Sequence, residues 1–100
     1  MSKRLEGRVA VVTGAGSGIG YAASVRLAAE GVKVVVVDTN EIAGNKVASE
    51  VGGIFVKADV TNEEQVANMY KVAFDTYNRI DIAFNNAGIS PPDDDSILIT

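Results

Sequence analysis

The chain has 100 residues, 47% of them apolar, and a formal net charge of −4. That size holds one small domain at most, and that apolar share suffices for a packed core, so a globule and not a disordered chain is expected. It contains no cysteine and no histidine, which removes disulfides, thiolate metal sites and the commonest general base.

Asp93, Asp94 and Asp95 supply three of the thirteen acidic residues, and the remaining ten face nine basic ones. The body therefore carries no strong field for nucleic acid, and no nucleic-acid partner is expected. Met1 to Glu6 is polar and shows no apolar h-region of a secretory signal. Apolar runs such as Val34 to Val37 are far too short to span a bilayer. A cytoplasmic location without membrane contact is the expectation.

In chain order, Arg8 to Thr13 reads as a first strand, apolar on both faces as a buried parallel strand would be. It turns on Thr13-Gly14-Ala15-Gly16-Ser17-Gly18-Ile19-Gly20 into a first helix, Ile19 to Glu30, with Ile19, Ala22, Ala23 and Leu27 on one face. Gly31 is a natural stop. Val32 to Val37 is a second strand ending at Asp38. Thr39 and Asn40 make a short turn with an N-cap candidate ahead of a second helix, Glu41 to Val51, whose apolar side is Ile42, Val47 and Val51. Gly44 weakens that helix and Gly52-Gly53 ends it.

Ile54 to Ala58 is a third strand, running into Asp59-Val60. Thr61 and Glu64 have capping-box spacing, with Thr61 as N-cap. The third helix follows, with Val66, Met69, Tyr70, Ala73, Phe74 and Tyr77 as a core-facing stripe. Ile80 to Asn85 is a fourth strand, followed by Asn86-Ala87-Gly88. From Ser90 onward no regular element is expected: Pro91-Pro92 cannot continue a strand, and Asp93 to Ser96 is a solvated loop. The closing triplet Ile97-Leu98-Ile99 resembles the start of a segment that continues.

The alternation β-α-β-α-β-α-β predicts an α/β fold, a Rossmann-type doubly wound parallel sheet with helices on both faces. Ligands in such sheets bind beyond the carboxyl ends of the strands. Those ends are Thr13-Gly14, Asp38, Asp59-Val60 and Asn85 to Gly88, where the unusual polar and glycine signals gather. Glycines at a strand-to-helix turn allow positive φ and close approach, and a helix N-terminus attracts an anion. G-x-G-x-x-G does not fit in place, and no Gly-Lys-Ser/Thr closes a P-loop; the pattern present is T-G-x-x-x-G-x-G, on Gly14, Gly18 and Gly20. A carboxylate at Asp38 can accept ribose hydroxyls and would repel a 2′-phosphate, which the next residue, Thr39, could not neutralise; this favours NAD over NADP. Asp59 suits either an adenine amine or a plain turn.

Taken together, these four motifs resemble the N-terminal half of the short-chain dehydrogenase/reductase family, over nearly the whole chain. The resemblance implies an NAD(P)-binding domain that transfers a hydride between nicotinamide and a carbonyl or alcohol. It implies that Gly14, Ser17, Gly18, Ile19 and Gly20 border the pyrophosphate and adjacent ribose, that Asp38 holds the adenosine ribose, and that Asp59 and Val60 contact adenine. Asn86, Ala87 and Gly88 would line the path toward the nicotinamide, and Asn85 would brace the sheet. A homo-oligomer and a small carbonyl or alcohol substrate are implied too.

The family's catalytic Ser and Tyr-x-x-x-Lys find no match here: Tyr21 is followed four positions on by Val25, Tyr70 by Phe74 and Tyr77 by Asp81. The expectation is therefore residues 1–100 as strands 1 to 4 of a larger sheet, inactive alone, with no catalytic and no metal-binding residues, and with the rest of the domain in a longer parent protein. Its fourth strand would then be an exposed edge. A non-catalytic dinucleotide-binding module is the first alternative. An S-adenosylmethionine-dependent methyltransferase is the second, and it leaves Asn85 to Gly88 without a role.

Overall fold

The computed structural model describes residues 6–16, 18–85 and 97–99. The elements are β1 (Val9–Thr13), α1 (Gly18–Ala29), β2 (Lys33–Asp38), α2 (Glu41–Val51), β3 (Ile54–Lys57), α3 (Glu63–Tyr77), β4 (Ile82–Asn85) and β5 (Ile97–Ile99). They build a five-stranded sheet in the order β3-β2-β1-β4-β5. The first four strands are parallel, with Val11 opposite both Val35 and Ala83, and Val36 opposite Phe55.

The core lies on both faces of this sheet. Ala10, Val12, Val34 and Val36 pack on one side with Val47 and Ala48 of α2, and Leu27 and Ala28 of α1 close over them. Val9, Val11, Val35 and Val37 face the other way, against Met69 and Ala73 of α3. Alternate residues of one strand thus serve two cores, which is why these strands read as continuous apolar runs. The doubly wound Rossmann-type arrangement is as expected from the sequence. Among the described residues, no helix is long and apolar enough to cross a membrane.

Several local expectations need correction. α3 is capped by Asn62, not Thr61: the Asn62 side chain accepts from the Gln65 backbone N–H at 3.1 Å, while Thr61 is drawn back onto Asp59. Tyr70 and Phe74 do not join the α3 core face; they are 37% and 53% exposed. One helix on one sheet face buries a seam centred on Met69 and Ala73, and at 100° per residue Tyr70 and Phe74 fall on its flank. The seam of α1 is likewise rotated. Gly20 and Ser24 are its buried residues, and Ile19 is 68% exposed. Ser24 Oγ donates to the Gly20 carbonyl at 2.8 Å, so this buried hydroxyl is satisfied. Ile42 is 85% exposed and does not contribute to the α2 face.

Ile97–Ile99 is a strand and not an unstructured triplet. It pairs antiparallel with β4 through Ile82 with Ile99, Ala83 with Leu98 and Phe84 with Ile97. The edge expected to be open at β4 is therefore paired, the solution a sheet adopts when a β-branched segment can reach its flank.

Two contacts set the spacing of the layers. Gly44 was expected only to weaken α2; a Cβ there would overlap the Phe55 ring, so this glycine lets the helix lie against β3. At the amino end of the sheet, Asp81 joins β1 to β4. Its Oδ2 accepts from the Val9 N–H at 2.9 Å and from Arg79 Nε at 2.8 Å, with Arg8 3.8 Å away.

Two predictions follow the packing. Gly44→Ala improves helix propensity by about 1 kcal/mol, but the overlap with Phe55 gives a net loss on the order of 1–2 kcal/mol in urea unfolding, and Phe55→Leu recovers part of it. For Asp81, hydrogen bonds from Arg79 and then from the Val9 N–H hold its carboxyl below the ordinary value of 3.8. A depressed carboxyl stabilises the fold above that value and loses the effect as pH falls through it toward the folded value. Asp81→Asn should therefore cost about 1–2 kcal/mol at neutral pH, and the difference from the unmodified protein should shrink as the pH falls below 3.8.

Candidate dinucleotide site

Parallel pairing aligns the carboxyl ends of the strands at one edge of the sheet, with Thr13 opposite Val37 and Asn85, and Asp38 opposite Lys57. The glycine turn leaves β1 at this edge. Gly14 and Gly18 adopt φ of 63° and 62°, the left-handed region that a side chain disfavours. Gly20, in the first turn of α1, lies so close to the Gly14 carbonyl that a Cβ would overlap its oxygen. The turn is thus folded tightly under the start of the helix. No acidic residue occupies the first turn of α1, so its free N–H groups and positive dipole end meet no carboxylate of the helix itself.

Backbone donors stitch the strand ends together. The Ala15 N–H donates to the Val37 carbonyl at 3.1 Å, and the Ala58 N–H to the Asp38 carbonyl at 3.3 Å. Asp38, at the end of β2, turns its carboxylate toward the glycine turn: Oδ2 accepts from the Gly16 N–H and Oδ1 from the Asn40 N–H, each at 2.8 Å. Asn40 also caps α2, accepting from the Ala43 N–H at 3.0 Å. Between β1 and β4, Thr13 Oγ1 donates to Asn85 Oδ1 at 3.0 Å.

Asp59 lies at the far side of β2. Its Oδ1 accepts from the Thr61 hydroxyl at 2.6 Å and the Thr61 N–H at 2.9 Å, and these bonds hold its carboxyl below the ordinary carboxylate range. Its N–H donates to Gln65 Oε1 at 2.7 Å. Asp59 therefore shapes the entry to α3, with Val60 half-buried in the same turn.

Of the residues singled out from the sequence, Gly14, Gly18, Ile19, Gly20 and Asp38 lie together at the turn, and Asp59 and Val60 stand beyond β2 on the same edge. Ser17, Asn86, Ala87 and Gly88 lie outside the described residues. No site role for Gly16 or for the Asn40 backbone, whose N–H groups hold Asp38, was read from the sequence. The available signal was Gly16 itself, a glycine of the turn beyond Gly14, Gly18 and Gly20.

Beside the turn, α1 and α2 flank an open cleft of about 450 Å³ lined by Gly16, Gly18, Tyr21, Ala43, Lys46, Val47 and Glu50. Asp38 and Asp59 are not among its walls. Tyr21 donates to Glu50 Oε1 at 2.7 Å, and that bond pushes its hydroxyl above the ordinary value of 10.0. Burial pushes Tyr70 the same way. A tyrosine serving as acid and base needs the opposite shift.

The residues present fit a dinucleotide. The cradle under α1 is one that a Cβ would fill, the helix start is open to an anion, and a fixed carboxylate stands where a ribose would follow. Comparison with known proteins agrees. A family model described as short chain dehydrogenase matches residues 8–98. The chain is 43% identical over 88 residues to a mitochondrial borneol dehydrogenase from Lavandula x intermedia, covering 88% of this chain and 34% of that protein. It is 38% identical over 101 residues to a secoisolariciresinol dehydrogenase from Forsythia intermedia, covering 98% and 36%. The chain thus spans about a third of the length of these relatives. Among solved structures, the 3-ketoacyl-(acyl-carrier-protein) reductase from Brucella melitensis complexed with NADH matches with a TM-score of 0.82 and 41% identity, over 85% of this chain and 36% of that one. A short chain dehydrogenase/reductase from Burkholderia phymatum in complex with NAD gives 0.82 and 36%, over 85% and 32%.

The Thr13 hydroxyl bridges the two strands that frame the glycine turn. Thr13→Val keeps the branched shape and removes the bridge, so it should cost about 1 kcal/mol in thermal unfolding and speed amide hydrogen exchange along β4.

Proposed function

This chain belongs to the short chain dehydrogenase family, and we propose that it supplies the cofactor-binding half of an NAD-dependent oxidoreductase acting on a carbonyl or alcohol. The observation that carries the NAD assignment is the Asp38 carboxylate, fixed at 2.8 Å from the Gly16 N–H at the end of β2. Two ribose hydroxyls can donate to such a carboxylate, while a 2′-phosphate would bring a like charge against it. Thr39, the next residue, offers no cation. The complexes of two structural neighbours with NADH and NAD support the same reading.

In this reading, Gly14, Ser17, Gly18, Ile19 and Gly20 hold the pyrophosphate and the adjoining ribose through backbone N–H groups and the α1 dipole. Asp59 and Val60 border the adenine, and Asn86, Ala87 and Gly88 the nicotinamide side. The dinucleotide, when bound, supplies or takes up the hydride. The chain's own part is to bind and orient it. The acid/base group belongs to the longer parent protein: no tyrosine here carries the downstream lysine, and the hydroxyls of Tyr21 and Tyr70 are shifted away from reactivity. The 100 residues alone are accordingly proposed to be inactive, and the parent to be a cytoplasmic homo-oligomer.

Calorimetric titration of the parent protein tests the assignment. NAD should bind at least roughly tenfold more tightly than NADP, and Asp38→Ala should lower NAD affinity by a similar factor and erase the preference. NADP binding as tightly as NAD would overturn the NAD assignment. NAD binding without turnover on any carbonyl or alcohol would leave a non-catalytic module in place of an oxidoreductase.

A further inference from the structure

The glycines of the turn are there for different reasons. Gly14 and Gly18 need their positive φ, and Gly20 needs room at the Gly14 carbonyl. Gly16 has no left-handed φ to explain it. What it lacks is space on the side of Asp38: a Cβ at position 16 would stand 2.7 Å from Asp38 Oδ2, 3.1 Å from Asp38 Cγ and 3.1 Å from the Ala43 Cβ. The first of these is closer than a Cβ and an oxygen can come, and Ala43 is held in the first turn of α2 by the Asn40 cap. The side chain that must give way is Asp38.

We propose that Gly16 is the positioning residue for cofactor choice: its bare Cα and its N–H fix the Asp38 carboxylate in the orientation that accepts ribose hydroxyls and repels a 2′-phosphate. The carboxylate is held at both ends by backbone donors from separate segments, Gly16 on Oδ2 and Asn40 on Oδ1. Neither donor is a side chain, so neither has a rotamer that could swing away. A carboxylate offers about four lone-pair sites, and two backbone bonds leave the others for a ligand. A Cβ at position 16 would press on Oδ2 and displace the carboxylate relative to these donors. The proposal rests on the NAD reading above and names the residue through which Asp38 acts.

The test is a double-mutant cycle in the intact protein with Gly16→Ala, Asp38→Ala and the pair, read first on the thermal midpoint without ligand and then on the affinities for NAD and NADP. Gly16→Ala alone should weaken NAD about tenfold, change NADP less than about threefold and so reduce the preference. In the Asp38→Ala background the same substitution should change neither affinity by more than about twofold, because the displaced group is gone. A Gly16→Ala protein too unstable to titrate, with folding restored by Asp38→Ala, supports the coupling; failure of Asp38→Ala to restore folding overturns it. Effects that multiply independently, or an unaltered NAD-over-NADP ratio in Gly16→Ala, overturn it as well. Equal affinity of the unmodified protein for the two dinucleotides would instead defeat the NAD assignment, and coupling in the ligand-free midpoints would still report whether position 16 holds Asp38.

Discussion

Burial of β1 and β2 on both faces is the constraint on which the rest depends. Val9 to Val12 and Val34 to Val37 have no polar side to give to water. Each of the first three strands is followed by a helix that returns over one face or the other, so the four parallel strands β1 to β4 begin at the same edge. The opposite edge collects all the strand-to-helix turns. The backbone groups released there cannot pair within the sheet, so they bond to neighbouring strand ends, as Ala15 does to Val37 and Ala58 to Asp38. The site is assembled from those leftover donors and acceptors.

The element order and the two-sided sheet were readable because they depend on long apolar runs and on glycines between them. The same holds for the strand-end location of Asp38 and Asp59, and for an N-cap within Thr39-Asn40, which the structure assigns to Asn40. What the sequence did not show depends on distances across the fold. Thr61 and Asn62 are both good N-caps, and the choice went to Asn62 because Asp59 engages Thr61. The apolar stripe of α3 was read too wide, since a pattern records which residues are apolar and not how broad a surface one helix can cover. On α1 the error ran the other way: Gly20 and Ser24 carry no hydrophobic signal, yet they are its buried residues. Pairing of Ile97–Ile99 with β4 is a tertiary event that a three-residue run does not announce.

The same lesson applies at the site. Asp38 was recognised by its chemistry, a carboxylate at a strand end. Gly16 was not, because its contribution is an absent atom and a backbone N–H, and both acquire meaning only 2.8 Å from a residue 22 positions away. Asp59 shows the reverse case. Its chemistry suggested a ligand contact, and the structure gives it a structural task as well, holding Thr61 and receiving Gln65 at the start of α3.

The strand order also governs how the chain matures during synthesis. β1 emerges first but sits at the centre, and its partner on one side arrives much later: Thr13 bonds to a carbonyl 71 residues further along. Until β4 is made, β1 can pair only with β2, and one apolar flank of the nascent sheet stays open. The Asp81 clamp completes on the same late segment, since it ties Val9 to the residue just before β4. Without the segment from Asp81 onward, β1 would keep its pairing with β2 and lose both the Asp81 clamp and its second neighbour.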